Sequence, residues 1–573
     1  MNDENISTKT QFTTPEDKIP SHFVISKESF SNIVSNTLFK KTFNYLPLAA
    51  ILILSLLLRL LASQESLGYV HPDEVFQSLE MIHYRIYGEY GNGETIPWEY
   101  NSDYQYGGAR SWFFVFLLVG VYRFVMLFGI TDPITLIYFA RLFLSLFSMI
   151  TVVVAYLFAK EVFNKPVGLL SAFIIGTWWF FPFWASRTMT DSMSNDFLFL
   201  SIFLVYKVVK SDNLKKKITF STIAGILIGL AFMIRFPAAL MGLPLAITLI
   251  YKLLIDIFRR ADNIVRVWLK KGKTSLPLLD KKEYFLSLSS LGGFCVGALL
   301  MILFQGLLDL FTWGSFLHSP INYYKYNIVE GYSSNHGVAP WYHYFGGFFT
   351  DFAYYFIFLF FALFIFGLVF KEKGKSKFFI LSLMFYWLVI FSSIEHKEFR
   401  FIMTFLPLGI IFVANGIYKF SKLFRKKSLQ YTVVAFFLIA LSASSLYMAI
   451  VEKDYIWKWN SGICNAMYWV GQQEDSERII VLHMVWYTGG YAYLDKNISI
   501  TFIRAQYINP AQRLNSSSLL EMYEQEGTYV VVQKSDMQMV KLLFFDMHQF
   551  FLDQGLIIVA NIAGYSNAYV YRS

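Results

Sequence analysis

His71-Pro72-Asp73-Glu74 sets two adjacent carboxylates just beyond the end of a long apolar run. Pro72 suits the first turn of a helix, and acids there are favoured by the helix dipole. Among the residues that follow, Val75, Phe76, Leu79, Ile82 and Ile86 share one side, while Gln77, Ser78, Glu80 and Arg85 lie elsewhere. That pattern predicts a helix lying flat on a membrane surface. A carboxylate partly withdrawn from water there can act as a general base on a hydroxyl, at the depth where a lipid phosphate meets a water-soluble acceptor. Taken alone, the pattern fits a plain helix start at least as readily.

Three further clusters could contribute. The stretch 307–346 holds Asp309, Trp313, His318, Asn322, Lys325, Asn327, His336, Trp341 and His343. Aromatic faces with amides and carboxylates are the groups that bind sugars, although an interfacial aromatic belt accounts for some of the Tyr and Trp. Its three histidines lack metal-ligand spacing, so neither a metal nor any other cofactor is expected. Glu395-His396-Lys397-Glu398-Phe399-Arg400 packs five ionisable residues into six positions between two apolar runs, which is costly unless the charges are paired or used. Lys397 and Arg400 could hold an anionic phosphate; a solvated turn with internal ion pairs is the alternative. Arg235, before Phe236-Pro237, could bind phosphate or snorkel, and Arg187 and Asp191 form another polar break.

The elements that must position these residues are membrane helices. The chain has 573 residues, of which 55% are hydrophobic and 16% charged, against roughly 25% charged in an ordinary soluble domain. Apolar runs of spanning length recur near 45–63, 111–130, 136–159, 167–185, 194–209, 218–234, 237–256, 284–306, 347–370, 376–394, 402–420 and 430–451. The net charge of +9 comes from short basic connectors, an orientation signal rather than a nucleic-acid surface. Placing those connectors and the polar tail 1–44 in the cytoplasm sets the acidic loop 64–110, the loop 307–346 and everything after Val451 outside. An even number of crossings is then needed between the acidic loop and residue 187, so one run, 111–130, is expected not to cross, leaving about eleven spans. Residues 45–452 make the transmembrane region. Short apolar strands within 453–573 (Ile479–Val485, Ile498–Ile503, Tyr529–Val532 and Leu556–Ile562) predict a small soluble α/β-type domain on the outer side.

At the chemistry-bearing residues the sequence resembles glycosyltransferase family 22, whose members transfer mannose from dolichyl phosphate mannose. The pieces that carry the resemblance run in order from Val70 to Glu80, then Pro97-Trp98-Glu99-Tyr100, Arg110-Ser111, Ser186-Arg187-Thr188, Arg235-Phe236-Pro237, Asn322 to Asn327, Ala339 to Phe345, and His396 to Phe401. They cover roughly 45–420. The resemblance implies a polytopic α-helical membrane protein of the GT-C type. It implies an inverting α-mannosyltransferase that takes dolichyl phosphate mannose as donor. The acceptor would be a lipid-linked glycan, either a glycosylphosphatidylinositol precursor or a dolichyl-pyrophosphate oligosaccharide. Asp73 would be the base, with Glu74 orienting it or binding the acceptor. Arg235, His396, Lys397 and Arg400 would meet the donor phosphate, and His71, Gln77, Glu99, Asn322, Trp341 and His343 the sugars. The site would face the endoplasmic reticulum lumen in a eukaryote, or the exterior of the plasma membrane in an archaeon. A protein mannosyltransferase, an oligosaccharyltransferase or a lipid or sugar transporter are the alternatives.

Overall fold

The computed structural model describes residues 37–91, 93–271, 281–369, 376–503, 521–534, 547–564 and 566–573. Most of the predicted tail, residues 1–36, therefore lies outside the described residues. The chain falls into two units, Met1–Ala50 and Ile51–Ser573; of the first, only the opening of the helix Thr37–Glu65 is described. Everything below concerns the second.

Eight helices are long and apolar enough to cross a membrane, from Tyr45–Glu65 to Lys427–Glu452. Four shorter apolar helices, Phe113–Met126, Lys165–Thr177, Lys377–Ser393 and Phe405–Ser421, fill the remaining apolar runs. Local chemistry fixes several starts. Asp132 caps Pro133–Phe147 by accepting from the Thr135 amide at 2.8 Å, with proline in the first turn. Asn213 does the same for Leu214–Ile234 through the Lys216 amide at 3.0 Å. That helix packs closely on Lys281–Trp313 because glycines face each other. A Cβ on Gly225 would meet the Phe294 carbonyl at 2.1 Å, and one on Gly297 the Thr222 carbonyl at 2.2 Å.

The helix Phe113–Met126 has 14 residues, about 21 Å at 1.5 Å per residue, short of the roughly 30 Å hydrocarbon core. The acidic loop holds it at both ends. Arg85 lies 3.6 Å over the Trp112 ring just before its start, and Tyr122 near its end is buried in one core with Tyr69 and Tyr493. Thr188 donates to the Glu74 carbonyl at 3.1 Å, and Ser78 to the Thr188 carbonyl at 2.8 Å. Residues 71–80 and 188 thus meet at one end of the bundle, as an even number of crossings between them requires.

After the last span, five strands form one sheet: β1 (Arg478–Val481), β2 (Ser499–Phe502), β3 (Thr528–Gln533), β4 (Ile557–Ile562) and β5 (Ala568–Arg572). The order is β2-β1-β3-β5-β4, with β1 parallel to β2 and β3, and β5 antiparallel to β3 and β4. Alternation divides its two faces. Ile479, Val481, Tyr529, Val531 and Val570 enter a core with the outer loop, whereas Ile480, Val530, Val532 and Tyr571 enter a second core with Phe551. The first of these cores corrects the surface-helix expectation. Val75, Phe76, Leu79 and Ile82 do not face lipid; they are buried in it, with Phe76 edge-on to Trp486 at 5.1 Å. The amphipathic stripe is real, and protein covers it.

Candidate active site

The long helix Thr37–Glu65 is followed by a sharp reversal at Gly68 (φ +59), where a Cβ would lie 2.2 Å from the Trp459 carbonyl. Only glycine fits there. On either side, the Leu67 and Tyr69 amides donate to the Trp457 and Trp459 carbonyls at 2.8 and 3.0 Å. His71 then caps a helical turn, Pro72–Glu74, by accepting from the Asp73 amide at 3.2 Å through Nδ1. Glu74 completes the capping box, its Oε1 accepting from the Val70 amide at 2.7 Å and the His71 amide at 3.4 Å. A π-helical turn, Val75–Leu79, precedes the helix Glu80–Tyr87, a distortion common at functional sites.

Asp73 is the hub. Gln77 Nε2 donates to its Oδ1 at 2.9 Å and to Glu99 at 3.0 Å. Arg400 Nη2 donates to its Oδ2 at 2.8 Å. Arg400 also grips Glu398, through Nε at 2.6 Å and Nη2 at 3.0 Å, and lies 3.6 Å from Asp191. Arg235 pairs with Asp191 at 2.7 Å, and Arg110 sits 3.9 Å from Glu99. Burial alone would raise the Asp73 carboxyl, but the charges of His71 and Arg400 overcome it and hold it well below the usual range. Glu398 is lowered likewise, because Arg400, His396 and His71 outweigh its burial. Glu99 goes the other way. Burial raises it, and Arg110 only partly opposes that. Two carboxylates joined through one amide side chain are thus pushed apart in acidity.

The proposed donor and acceptor residues divide on inspection. His71, Gln77 and Arg400 meet Asp73 directly, Glu99 joins it through Gln77, and Arg235 and His396 join it through two side chains, Asp191 and Arg400 or Glu398 and Arg400. Glu74 does not reach an acceptor. It is fully buried, 3.8 Å from the equally buried Arg187, and serves the helix cap. Lys397 is not free for phosphate either. Its ammonium donates to the carbonyls of Ala339 (2.7 Å), Ile394 and Glu395 (3.4 Å). Together with His396 Nδ1 at 2.9 Å from the Gly337 carbonyl, it pins the 307–346 loop to the His396–Arg400 turn. Asn322 ties the 307–346 loop to the acidic loop, donating to the Gly107 carbonyl at 2.8 Å. Trp341 is exposed beside Tyr342 and Phe345, and His343 contacts Tyr344; among the described residues neither makes a polar contact with the cluster.

The loop instead contributes His336, whose ring lies 6.2 Å from that of His396. It also contributes Tyr326, stacked on Trp98 at 4.0 Å. With Glu99 next to Trp98, this gives an aromatic platform beside a carboxylate. Beyond the cluster opens a cavity of about 300 Å³ whose wall includes His71, Glu398, Arg400, Trp184, Lys453 and Trp459. Its wall mixes charged and aromatic side chains.

The sequence profile of the Alg9-like mannosyltransferase family matches residues 50–495, extending past the last span and beyond β1. Mannosyltransferase APTG1 of Arabidopsis thaliana is 25% identical over 460 residues, 76% of this chain and 73% of that protein. GPI alpha-1,2-mannosyltransferase 3 of Homo sapiens is 25% identical over 372 residues, 65% of this chain and 57% of that protein, so the chain spans under two thirds of the human relative. Among solved structures, ArnT from Cupriavidus metallidurans bound to undecaprenyl phosphate superposes with a TM-score of 0.53 at 11% identity, covering 92% of this chain and 98% of that one. That likeness carries the fold alone, a GT-C membrane scaffold. With the family match running over most of its length, the chain belongs to the Alg9-like mannosyltransferase family and is a multi-pass membrane mannosyltransferase.

Proposed function

We propose that this mannosyltransferase moves mannose from dolichyl phosphate mannose to a glycosylphosphatidylinositol precursor, at the lumenal face of the endoplasmic reticulum membrane. The acceptor reading is supported by the names of the relatives, GPI alpha-1,2-mannosyltransferase 3 in vertebrates and GPI mannosyltransferase 3 in Drosophila melanogaster. The observation that carries the chemistry is Asp73, ionised and hydrogen-bonded to Arg400 at 2.8 Å, where Arg400 and His71 both line the lipid-sized cavity.

On this reading an acceptor hydroxyl oxygen attacks the anomeric carbon. The bond from that carbon to the phosphate oxygen breaks, its electrons staying on the phosphate, and the hydroxyl proton passes to Asp73. Attack from the face opposite the leaving group turns a β-linked donor into an α-linked product. The phosphate leaves without protonation, its charge met by a cation in the cavity wall. Gln77 and His71 orient the carboxylate, and Glu74 holds the helix that carries it.

The test is mannose transfer in membranes given labelled dolichyl phosphate mannose. Asp73→Asn is expected to reduce turnover by about 10²- to 10⁴-fold, the usual worth of general base catalysis, with donor binding kept. A folded variant with normal turnover sinks the assignment. Mild acid, which cleaves dolichyl pyrophosphate glycans, is expected to leave the labelled glycolipid intact.

A further inference from the structure

The donor needs a cation that is not already committed, and most cations assigned to it are committed. Arg235 faces Asp191 at 2.7 Å. His396 bridges Glu398 and the Gly337 carbonyl. Lys397 is spent on three carbonyls. Arg400 lines the cavity, but three carboxylates lie within 3.6 Å of it. A phosphate arriving there meets one guanidinium already more than neutralised, in a setting where an unpaired anion is expensive.

Lys453 also lines that cavity. Among the described residues no carboxylate lies within ion-pair distance of its ammonium: Asp351 acts on it only as a more distant charge, and the Tyr455 ring lies at 5.8 Å. It follows directly on the end of the last long apolar helix, Lys427–Glu452, the depth at which lipid headgroup phosphates sit. Its position relative to Asp73 is fixed through the backbone. Arg187 Nη2 donates to the Ile456 and Trp457 carbonyls at 2.9 and 3.2 Å, the same Arg187 that faces Glu74 beside Asp73. The Leu67 and Tyr69 amides bind the Trp457 and Trp459 carbonyls. The segment after the last span and the segment before Asp73 therefore move as one piece.

Resting on the donor reading above, we infer that Lys453 is the cation that binds the phosphate of the polyprenyl donor, the leaving dolichyl phosphate included. Asp351, on the same cavity wall, opposes an anion there and limits how tightly the product is held.

The experiment uses the full-length chain in lipid nanodiscs, with dolichyl phosphate as competitor and dolichol and inorganic phosphate as controls. Lys453→Gln is expected to weaken dolichyl phosphate inhibition and raise the donor KM together, by about tenfold or more for a charge-assisted contact, with kcat changed far less. Asp351→Asn is expected to strengthen inhibition. Unchanged inhibition in Lys453→Gln overturns the inference. So does an equal loss in Asp351→Asn, which would make Lys453 a partner of that carboxylate. Equal competition by inorganic phosphate would assign the site to free phosphate and likewise overturn it. A measurement on the unsubstituted protein guards against misfolding: dolichyl phosphate, but not dolichol, should protect Lys453 from an amine-reactive label, and equal labelling overturns the inference. If dolichyl phosphate binds through Lys453 but no mannose is transferred, the reaction reading fails and this inference stands.

Discussion

Glu74 and Arg187 offer a sharp test of what holds the Asp73 helix in place. Both side chains are fully buried and 3.8 Å apart. Two unit charges at that separation attract by about 4 kcal/mol at an effective dielectric of about 20. The pair is otherwise thinly served: Glu74 Oε2 and Arg187 Nε and Nη1 have no hydrogen-bond partner among the described residues. Removing one member strands the other dry and charged, at about 3–5 kcal/mol. Glu74→Gln isolates that effect, since it keeps an oxygen for the Val70 amide at 2.7 Å. Glu74→Ala should lose about 1 kcal/mol more, the usual worth of a cap. Arg187→Met alone should cost as much as Glu74→Gln, plus the bonds to Ile456 and Trp457. The double variant should recover most of the charge term, giving a coupling energy of about 3 kcal/mol in a double-mutant cycle. Equilibrium unfolding in mixed micelles, followed by fluorescence of the 13 tryptophans, measures it. A coupling below about 0.5 kcal/mol, the level of an exposed pair, would refute the argument.

Three other outcomes are expected. Phe76→Ala, which empties a site only 2% exposed against Trp486, should cost about 3–5 kcal/mol, read by the same unfolding assay. Gly490→Ala should open the joint between the sheet module and the acidic loop, because φ is +59 and the new Cβ would lie 2.4 Å from Glu80 Oε2; faster limited proteolysis after the last span would report it. The stability advantage of the wild type over Glu398→Gln should depend on pH in both directions. Glu398 is depressed from 4.5, so its contribution is present above that value and lost as pH falls through the lower folded value. His396 is raised from 6.5, first by its bond to Glu398, so its contribution is present below 6.5 and lost as pH rises through the higher folded value. The advantage should therefore be full between about pH 4.5 and 6.5, and a difference flat from pH 5 to 9 would contradict it.

Much of the fold was legible because membrane helices announce themselves. All twelve apolar runs correspond to apolar helices of the structure, and parity required that one of the three runs between the acidic loop and residue 187 not cross, with 111–130 the expected one. The sheet was legible where strands are long and β-branched, as at Tyr529–Val532. It was not legible at β5, Ala568–Arg572, whose alternating Tyr and Val lie at the very end of the chain and gain meaning only beside β3. The site residues were half legible. Asp73, Gln77 and Arg400 sit in dense polar motifs, and the motifs survive folding. Lys397 misled because a lysine beside a glutamate looks free in sequence; that its ammonium caps carbonyls of residues 339, 394 and 395 depends on a loop some sixty positions away. Lys453 was passed over because, between Glu452 and Asp454 just after a span, nothing in the sequence marks it out; only the cavity gives it a task.

One tension in the site points to how it works. A carboxylate lowered by Arg400 is a poor proton acceptor, yet the proposed reaction asks Asp73 to take a proton. The geometry offers a way out. Arg400 holds Glu398 through two nitrogens, at 2.6 and 3.0 Å, but reaches Asp73 through Nη2 alone, at 2.8 Å. On the proposed reading, a phosphate held by Lys453 competes for that one N–H while the Glu398 grip persists. Asp73 then keeps Gln77 at 2.9 Å and His71 at 3.4 Å, stays oriented, and loses the charge that depressed it most directly after His71. Its basicity would thus rise, on the proposed reaction, when donor is bound. On the proposed reaction this ordering matters, because a strong base left beside an activated sugar phosphate would serve water as readily as an acceptor hydroxyl. The resting ion pair keeps the base weak until the donor fills the site, and Glu398 keeps Arg400 from following the phosphate out.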